Sequence, residues 1–393
     1  METRIAPPAW LTQGAAARVL AALPGARVVG GAVRDTLAGR AVADIDIASS
    51  FAPEVASQRL REAGLKVVPT GLAHGTVTAV VQGTPIEVTT LRRDVATDGR
   101  HAVVAFDADW QQDAARRDFT INAMSLEPDG TVHDFFGGAA DLASGRVRFV
   151  GAAPQRIAED YLRILRWFRF QARYGTTAPD AATLAAITEG VPGLAGLSAE
   201  RVWSELKRIL LAPDPVPALA LMEPTGVRAA VLPEGADLVA LGRLVAIGAP
   251  VDPLLRLAAL LPAGADLPAL AARLRLARAE AERLAQLRVP LPAAPDAAAL
   301  RRLLADTPAE ILIDRTWLAQ RDDPAPWKAM RRDIAALPAP QFPLRAADLD
   351  LPPGPGLGAA LAALRAWWLE GGCNADLAAL RAEAARRRAQ GLL

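Results

Sequence analysis

The sequence predicts an α+β fold, in which an N-terminal region with a mixed β-sheet precedes a long region that is entirely helical. The first observation is that strand-like segments separated by turn residues occur only before about residue 150. The second is that Ala, Leu and Arg dominate the composition, which favours helices. The third is that 393 residues exceed one core of ordinary size, so two or more domains are expected.

The N-terminal region is predicted to combine short strands with helices packed against one sheet. Helices are expected near 9–23, 32–38 and 53–63. The candidate strands, in chain order, are 26–30, 44–49, 65–69, 75–81, 84–90 and 131–134.

Two features describe the rest of the chain. Residues 91–111 show no sustained periodicity and carry several charges, so we interpret them as a mobile loop beside a functional site. After about residue 150, breaks rich in Pro, Gly or Asp separate helical segments, and none is long enough for a disordered linker. The helices are therefore expected to form successive packed blocks.

Composition restricts the classes of function. The net charge of +1 gives no global basic signal for nucleic acid. The single cysteine, Cys373, excludes an internal disulfide and favours a reducing compartment. The opening METRIAPPAWL lacks the layout of a signal peptide, and no run of about 18 uncharged apolar residues predicts a membrane span. We expect a cytoplasmic protein.

The segment VVGGAVRDTLAGRAVADIDIAS at 28–49 carries the strongest chemical signal. It predicts a strand, a tight Gly30-Gly31 turn, a short helix carrying Arg34, and a second strand carrying Asp44 and Asp46. Side chains two residues apart on a strand point the same way, with alpha carbons ~6.6 Å apart. Two such carboxylates can hold two Mg²⁺ ions ~3.5–4 Å apart for in-line attack on a phosphate.

The free N–H groups of the turn and the nearby Arg34 would cradle a triphosphate opposite that metal site. Taken alone, a Gly-Gly turn is weak evidence, and an Asp-x-Asp pair is usually a solvated strand face. Their combination in a strand–turn–helix–strand context predicts nucleotidyl transfer.

A second set of polar residues follows the sheet region, on a helix predicted to begin near Pro154. Asp160, Arg163, Arg166 and Arg169 recur every three residues, so neighbours are close but the row drifts around the helix. We infer that Asp160 and Arg163 act together and that the later arginines reach phosphate. The alternative is a set of exposed ion pairs on a wet helix.

The donor and acceptor patterns of the nucleobases suggest a specific role for Asp160 and Arg163. Cytosine and adenine both present an amine donor beside a ring-nitrogen acceptor, so a carboxylate and a guanidinium suit both bases. Uracil and guanine present the opposite pattern and leave both protein groups mismatched. The pair therefore predicts acceptance of C and A without a nucleic-acid template.

The segment DAARRDFTINAM at 113–124 lies between the two constellations. Arg116 or Arg117 could neutralise a polyphosphate. Asp118 and Thr120 could instead cap a helix and pair with an arginine, and the two interpretations are compatible.

Together these segments resemble class II CCA-adding tRNA nucleotidyltransferases and bacterial poly(A) polymerases. A further segment, LSAERVWSELKRIL at 197–210, looks like the family's next helical motif, and residues 351–372 resemble a late segment of some members. The motifs that carry the resemblance cover about residues 27–175 and are GGAVRDTLAGRAVADIDIAS, HGTVTAVVQGTPIEVTTLR, RRDFTINAM, DFFGGAADL and EDYLRILRWFRFQARYG.

The resemblance implies an architecture and an activity. It implies a polymerase-β-like nucleotidyltransferase head at 1–148, a helical neck with a base-reading helix at 149–215, a body at 216–290 and a tRNA-binding tail at 291–393. The implied reaction is template-independent addition of CCA to the 3′ end of tRNA from CTP and ATP, with Mg²⁺ as cofactor and release of pyrophosphate.

The resemblance also implies roles for individual residues. Asp44 and Asp46 would bind Mg²⁺, and Gly31, Arg34 and Arg117 would hold the triphosphate. Base reading and completion of the pocket would fall to Asp160, Arg163, Arg166 and Arg169. Glu87 is a candidate third carboxylate, although strand phase alone does not show that it reaches a metal.

Some alternatives stay open at the level of sequence. A poly(A) polymerase and a transferase that adds only CC or only A would share these motifs, and a non-catalytic RNA-binding protein would use the helices alone. The oligomeric state is not determined. The three histidines, His74, His101 and His133, are too few for the histidine-rich phosphohydrolase domain of some relatives, and His133-Asp134 is expected only to end a strand before a Gly-Gly turn.

Overall fold

The computed structural model describes residues 2–72, 75–98, 101–106, 108–292, 295–320 and 323–392, with side chains undescribed at residues 2, 94–98 and 101–104. His74 lies outside the described residues. The described chain forms two compact units, Met1–Leu238 and Val239–Leu393. The four-part division into head, neck, body and tail stays a prediction.

The first unit is built on an eight-stranded sheet with the order β1-β10-β9-β2-β3-β6-β5-β4, and β7 and β8 form a separate hairpin. The pairing of β3 with β6 is parallel and the other pairings in the sheet are antiparallel, so the sheet is mixed as predicted. The strands are β1 Glu2–Arg4, β2 Arg27–Val29, β3 Asp46–Ser49, β4 Lys66–Gly71, β5 Thr76–Val81, β6 Thr84–Thr90, β7 Arg93–Asp98, β8 His101–Ala105, β9 Ser125–Leu126 and β10 Thr131–His133.

Helices dominate the chain after β10, and the predicted α+β head followed by helices is confirmed. In the first unit they are α1 Ala9–Thr12, α2 Gly14–Ala22, α3 Gly31–Leu37, α4 Pro53–Glu62, α5 Trp110–Ala115, α6 Gly138–Ala143, α7 Ala153–Glu159, α8 Leu162–Tyr174, α9 Ala181–Gly190, α10 Ala199–Leu210, α11 Val216–Leu221 and α12 Val227–Val231. From residue 238 onward they are α13 Leu238–Ala246, α14 Pro253–Leu260, α15 Leu267–Leu274, α16 Arg278–Leu287, α17 Ala297–Asp306, α18 Ala309–Ala319, α19 Ala325–Ala336, α20 Pro355–Glu370 and α21 Leu377–Ala389.

The core of the head lies between the sheet and helices α2 and α4. The β-branched residues Val77, Val88 and Ile47 are buried on the sheet, as alternating strands require, and Val19 and Leu60 meet them from the two helices. This packing fixes the strands whose other residues carry the polar site.

Three local expectations were wrong. Residues 91–111 are not a loop throughout, since they contain the β7–β8 hairpin, paired from Arg93↔Ala105 to Asp98↔His101, and the start of α5. The helix predicted at 9–23 is two helices, α1 and α2, because Gln13 is extended between them. The helix predicted from Pro154 is also two helices, α7 and α8, because Asp160 is extended, with φ −158° and ψ 108°.

The second unit packs helix against helix. Asp252 caps the N-terminus of α14 by accepting a hydrogen bond from the Leu255 N–H. Arg283 of α16 then bridges Asp252, at 2.9 Å, and Asp314 of α18, at 2.8 Å. One guanidinium thereby joins three helices of this unit. Across the described ranges, no helix has the length and apolarity needed to cross a membrane.

Candidate active site

The Gly-Gly turn joins β2 to α3 as predicted. Gly30 has φ +69°, a conformation that residues with a Cβ rarely adopt. A Cβ at Gly30 would also lie 3.0 Å from Nη1 of Arg117, so the missing side chain lets that arginine approach the turn. The turn is therefore built for close contact between backbone and a cation, at the rim of a polar cavity.

Arg34 of α3 is held in place by acidic and amide partners. Its Nε and Nη2 each donate to a carboxylate oxygen of Asp35 at 3.1 Å, and its Nη1 donates to Oδ1 of Asn122 at 2.5 Å. Asn122 belongs to a 3₁₀ helix, Thr120–Asn122, in the RRDFTINAM segment. Sequence analysis missed this role of Asn122, since nothing local connects it with α3.

The carboxylates meet across two parallel strands. Asp46 begins β3 and stands in register with Glu87 of β6, which places both side chains on the same face of the sheet. Asp44 was predicted to lie on the same strand, and this prediction was wrong. β3 begins only at Asp46, and Asp44 lies in the irregular segment before it.

Charge crowding is evident at Asp46. Desolvation and the neighbouring Glu87 raise the pKa of the Asp46 carboxyl above its ordinary value, with Asp44 adding to the effect and Arg117 opposing it. Carboxylates that repel one another in this way gain from binding a cation. A gathered cluster of three or more His, Cys, Asp or Glu side chains is absent from the described part of the chain. Ligand phosphates would have to complete any metal site here.

The raised pKa of Asp46 leads to a test of stability. Since ionisation of this carboxyl opposes folding, Asp46→Asn should raise the thermal midpoint of the metal-free, nucleotide-free protein at pH 7. The gain should shrink as the pH falls through the raised pKa and vanish below 3.8, where the carboxyl is neutral in both the folded and the unfolded protein. Differential scanning calorimetry in a chelating buffer measures both effects.

Asp129 supplies the matched control. Its pKa is lowered, mainly by the hydrogen bond from the Thr131 N–H, so its ionised form favours folding. Asp129→Asn should therefore lower the midpoint at pH 7. If Asp46→Asn also lowers the thermal midpoint, ionisation of Asp46 does not destabilise the folded protein.

The buried carboxylate of Asp113 holds Arg117 in place. Nη2 of Arg117 donates to Oδ2 of Asp113 at 3.1 Å, and Arg116 donates to the other oxygen of the same side chain at 2.8 Å. Burial alone would raise the pKa of Asp113, but the two guanidiniums lower it. Of the two arginines considered from the sequence, Arg117 lines the cavity.

Asp118 forms a buried junction between the head and α8. It accepts hydrogen bonds from Nε of Arg166 at 2.7 Å and from Nδ2 of Asn122 at 3.0 Å. Burial works to raise the pKa of Asp118, but the ion pair with Arg166 and the hydrogen bonds hold it below its ordinary value. The sequence interpretation that Asp118 pairs with an arginine is consistent with this contact.

Asp160 and Arg163 both reach the cavity, although not from one continuous helix. Oδ2 of Asp160 accepts from Nη2 of Arg201 at 2.7 Å, and Oδ1 accepts from the Leu162 N–H at 3.1 Å. Nη1 of Arg163 donates to Glu159 and, at 2.8 Å, to the Arg156 carbonyl. Arg201 of α10 is a residue that sequence analysis did not single out.

Arg169 of α8 pairs with a buried carboxylate. It forms an ion pair with the buried Glu205 of α10, with 3.3 Å between Nε and Oε2. Burial lowers the pKa of Arg169 to about 10, although Glu205 acts in the opposite direction. Arg169 therefore keeps its positive charge at neutral pH.

These side chains surround one cavity of about 430 Å³, which we call the arginine pocket. Six of its lining residues are arginines and three are aspartates, so the pocket favours a polyanion that also carries hydrogen-bonding groups. It brings together the predicted site residues except Asp44 and the candidate third carboxylate Glu87. Its lining residues are Gly30, Gly31, Arg34, Asp46, Arg117, Asp118, Asn122, Asp160, Leu162, Arg163, Arg166, Arg169, Phe170 and Arg201.

The His133-Asp134 pair has the structural role expected from the sequence. His133 ends β10, and its Nε2 lies 2.7 Å from Oε1 of Glu127. Asp134 accepts hydrogen bonds from the N–H groups of Gly138 and Ala139 at 2.9 Å, which fixes the start of α6. A Cβ at Gly138 would lie 2.1 Å from the Thr120 carbonyl oxygen, so glycine is needed for this close approach.

Comparison with known families agrees with this geometry. Residues 26–148 match the family described as the poly A polymerase head domain, and residues 178–238 match a probable RNA and SrmB-binding site of polymerase A. Over these two ranges the chain is similar to poly(A) polymerases. The first match contains the Gly-Gly turn and the carboxylates, and the second contains Arg201.

The curated relatives match about half of the chain. CCA tRNA nucleotidyltransferase 1, mitochondrial, from Danio rerio is 52% identical over 190 residues, which are 47% of this chain and 44% of that protein. The CCA-adding enzyme of Geobacillus kaustophilus is 40% identical over 200 residues, which are 50% and 48% of the two chains. The chain thus matches less than half the length of these relatives.

Solved structures extend the likeness in fold. The Bacillus stearothermophilus CCA-adding enzyme in complex with CTP has a TM-score of 0.75 and 27% identity, covering 93% of both chains. The Thermotoga maritima CCA-adding enzyme complexed with tRNA has a TM-score of 0.59 and 22% identity, covering 92% of this chain and 90% of that one, and it supports the fold alone. The family also implies use of a divalent metal.

Proposed function

We propose that the protein adds CCA to the 3′ end of tRNA from CTP and ATP, without a template and with release of pyrophosphate. One observation carries the proposal: Asp46 and the Gly30-Gly31 turn line the same pocket as Asp160 and Arg163. A nucleoside triphosphate needs both groups, one for its phosphates and the other for its base.

Mg²⁺ fits the donor set at the phosphate end. Asp46, Asp44 and Glu87 offer hard carboxylate oxygens, and the raised pKa of Asp46 indicates a local excess of negative charge. We infer that Asp44 and Asp46 hold the metal, with Glu87, in register with Asp46, as the candidate for a third carboxylate. Bound there, Mg²⁺ would activate the attacking 3′ hydroxyl and stabilise charge on the reacting phosphates.

The turn and the arginines have the chemistry to orient the triphosphate. Arg34 and Arg117 are held by Asp35 and Asp113, so their remaining N–H groups can face a ligand at little entropic cost. We assign Gly30, Gly31, Arg34 and Arg117 to the triphosphate, and Arg166 and Arg169 to the rest of the nucleotide. Positioning and charge neutralisation would supply most of the catalysis.

Asp160 and Arg163 keep the groups that base reading requires. A carboxylate has about four acceptor sites, and Asp160 uses one on each oxygen. Arg163 uses only Nη1 among the described residues, which leaves Nε and Nη2 as donors. The pair can therefore accept from the exocyclic amine and donate to the ring nitrogen of cytosine or adenine.

The helices after the head are the proposed tRNA-binding part, with contacts mainly to shape and phosphate. We retain the division into head 1–148, neck 149–215, body 216–290 and tail 291–393 as part of this proposal. The match of residues 178–238 to a probable RNA-binding site supports RNA as the partner.

Incubation of the purified protein with tRNA lacking its 3′ end tests the proposal. With labelled CTP and ATP together, three nucleotides should be added; CTP alone should add two, and ATP alone should add none. Long tracts from ATP alone would indicate a poly(A) polymerase, and products limited to CC or to one A would indicate a partial transferase. Binding of tRNA without any incorporation would indicate a non-catalytic RNA-binding protein.

A further inference from the structure

A cluster of side chains at the end of α8 contacts the phosphate side of the arginine pocket. Tyr174, the last residue of α8, is buried and donates a hydrogen bond from its hydroxyl to Oδ1 of Asp35 on α3. The two carboxylate oxygens of Asp35 in turn accept from Nε and Nη2 of Arg34. A neck helix is thus joined to Arg34 through a single carboxylate.

Aromatic rings complete the enclosure of Arg34. Its guanidinium carbon lies 4.7 Å from the ring centroid of Tyr174 and 5.1 Å from that of Phe170. Arg40 covers the same Tyr174 ring at 4.7 Å and donates to the Arg173 carbonyl at 2.8 Å. Cation–π contacts of this kind restrict where a guanidinium can lie.

The hydrogen bonds of Arg34 leave some of its N–H donors available to a ligand. Arg34 has five N–H groups, and three of them are used by Asp35 and Asn122. One N–H on each terminal nitrogen remains, and Arg34 lines the pocket. The direction of these two donors depends on Asp35, because the fork of the guanidinium is rigid.

We propose that Tyr174 and Asp35 are positioning residues that aim Arg34 at the triphosphate and fix the distance between α3 and α8. We call this contact the Tyr174–Asp35 clasp. The same helix α8 carries Arg163, Arg166 and Arg169, so the clasp ties the elements that hold the two ends of the nucleotide. The inference rests on the proposed function, since it takes a nucleoside triphosphate as the ligand.

Tyr174→Phe tests the clasp with little disturbance, because phenylalanine keeps the ring that stacks on Arg34 and Arg40 and removes only the hydroxyl. Tyr161→Phe is the matched control. Tyr161 is the other tyrosine of the chain, and its hydroxyl has no hydrogen-bond partner within the described ranges. Each protein is titrated with CTP and with CMP in magnesium buffer by calorimetry, without tRNA, so that no turnover occurs.

The expected result is a loss confined to the triphosphate. Tyr174→Phe should weaken CTP binding about tenfold, the effect of losing one charge-assisted hydrogen bond, and leave CMP binding unchanged. Tyr161→Phe should change neither. In an Arg34→Ala background, Tyr174→Phe should have no further effect on CTP, because the side chain that it aims is gone.

Other outcomes overturn the inference in distinguishable ways. Equal weakening of CTP and CMP would assign Tyr174 a merely structural role. Unchanged CTP binding, or a loss that persists in the Arg34→Ala background, would show that the clasp does not act through Arg34. If the wild-type protein binds CTP no more tightly than CMP, the proposed function fails and the inference fails with it.

Discussion

Replacement of Asp44 and Asp46 together by Asn should reduce nucleotide transfer to truncated tRNA by at least about 10³-fold. Asn keeps the shape of each side chain but removes the charge, so the carboxylates that would hold Mg²⁺ are lost. Binding of tRNA should be unchanged, because the proposed RNA contacts lie on the helices after the head. Single-turnover incorporation of labelled CTP measures the first effect, and a filter-binding assay measures the second.

Glu54→Gln is the matched control, since Glu54 is an exposed carboxylate on α4 of the same head and does not line the arginine pocket. It should transfer nucleotides at the wild-type rate. Retained transfer by the Asp44 and Asp46 variant would remove the metal assignment. Parallel loss of tRNA binding would instead indicate damage to the fold.

The second large effect concerns the choice of base. Exchange of the pair, as Asp160→Arg with Arg163→Asp, reverses the donor and acceptor pattern offered to the base. We expect incorporation of CTP and ATP to fall about 10²–10³-fold and selection to relax towards UTP and GTP, because buried mismatches now penalise the original substrates. Competition among the four labelled nucleotides on one truncated tRNA measures the change.

Part of the expected loss of CTP and ATP incorporation would come from the lost ion pairs of Asp160 and Arg163 with their neighbours. Asp160 is held by Arg201 and Arg163 by Glu159, so the exchange also places like charges together at both contacts. The control is the same exchange at an exposed pair on α16, Arg278→Glu with Glu282→Arg, which should alter neither rate nor selection. If UTP and GTP stay fully rejected by a folded variant of Asp160 and Arg163, base reading occurs elsewhere.

Local signals in the sequence predicted much of the head. The β-branched segments of β5 and β6, the Gly30-Gly31 turn and the helix after it all follow from periodicity and turn chemistry, which act over a few residues. The same local rules failed at Asp160. The helical spacing of apolar residues continues past Asp160. The Asp160 carboxylate instead accepts hydrogen bonds from the Leu162 N–H and Arg201, and the helix is interrupted there.

The β7–β8 hairpin was missed for a related reason. Most residues of β7 are polar, the apolar residues of β8 are consecutive, and both strands lie outside the main sheet, so no apolar alternation marks them. Glu87 illustrates the opposite case. Its residue type suggested a third carboxylate, but only the parallel register of β3 with β6 places it beside Asp46.

The sequence by itself determined the class of fold and the chemical groups available, namely paired carboxylates, a glycine turn and rows of arginine. Tertiary structure alone decided which carboxylate holds which arginine. Asp118 meets Arg166 across 48 positions of sequence, and Asp35 meets Tyr174 across 139. Propensity and periodicity act over a few neighbouring residues, whereas these two contacts exist only because the tertiary fold brings α8 within hydrogen-bonding distance of distant parts of the chain.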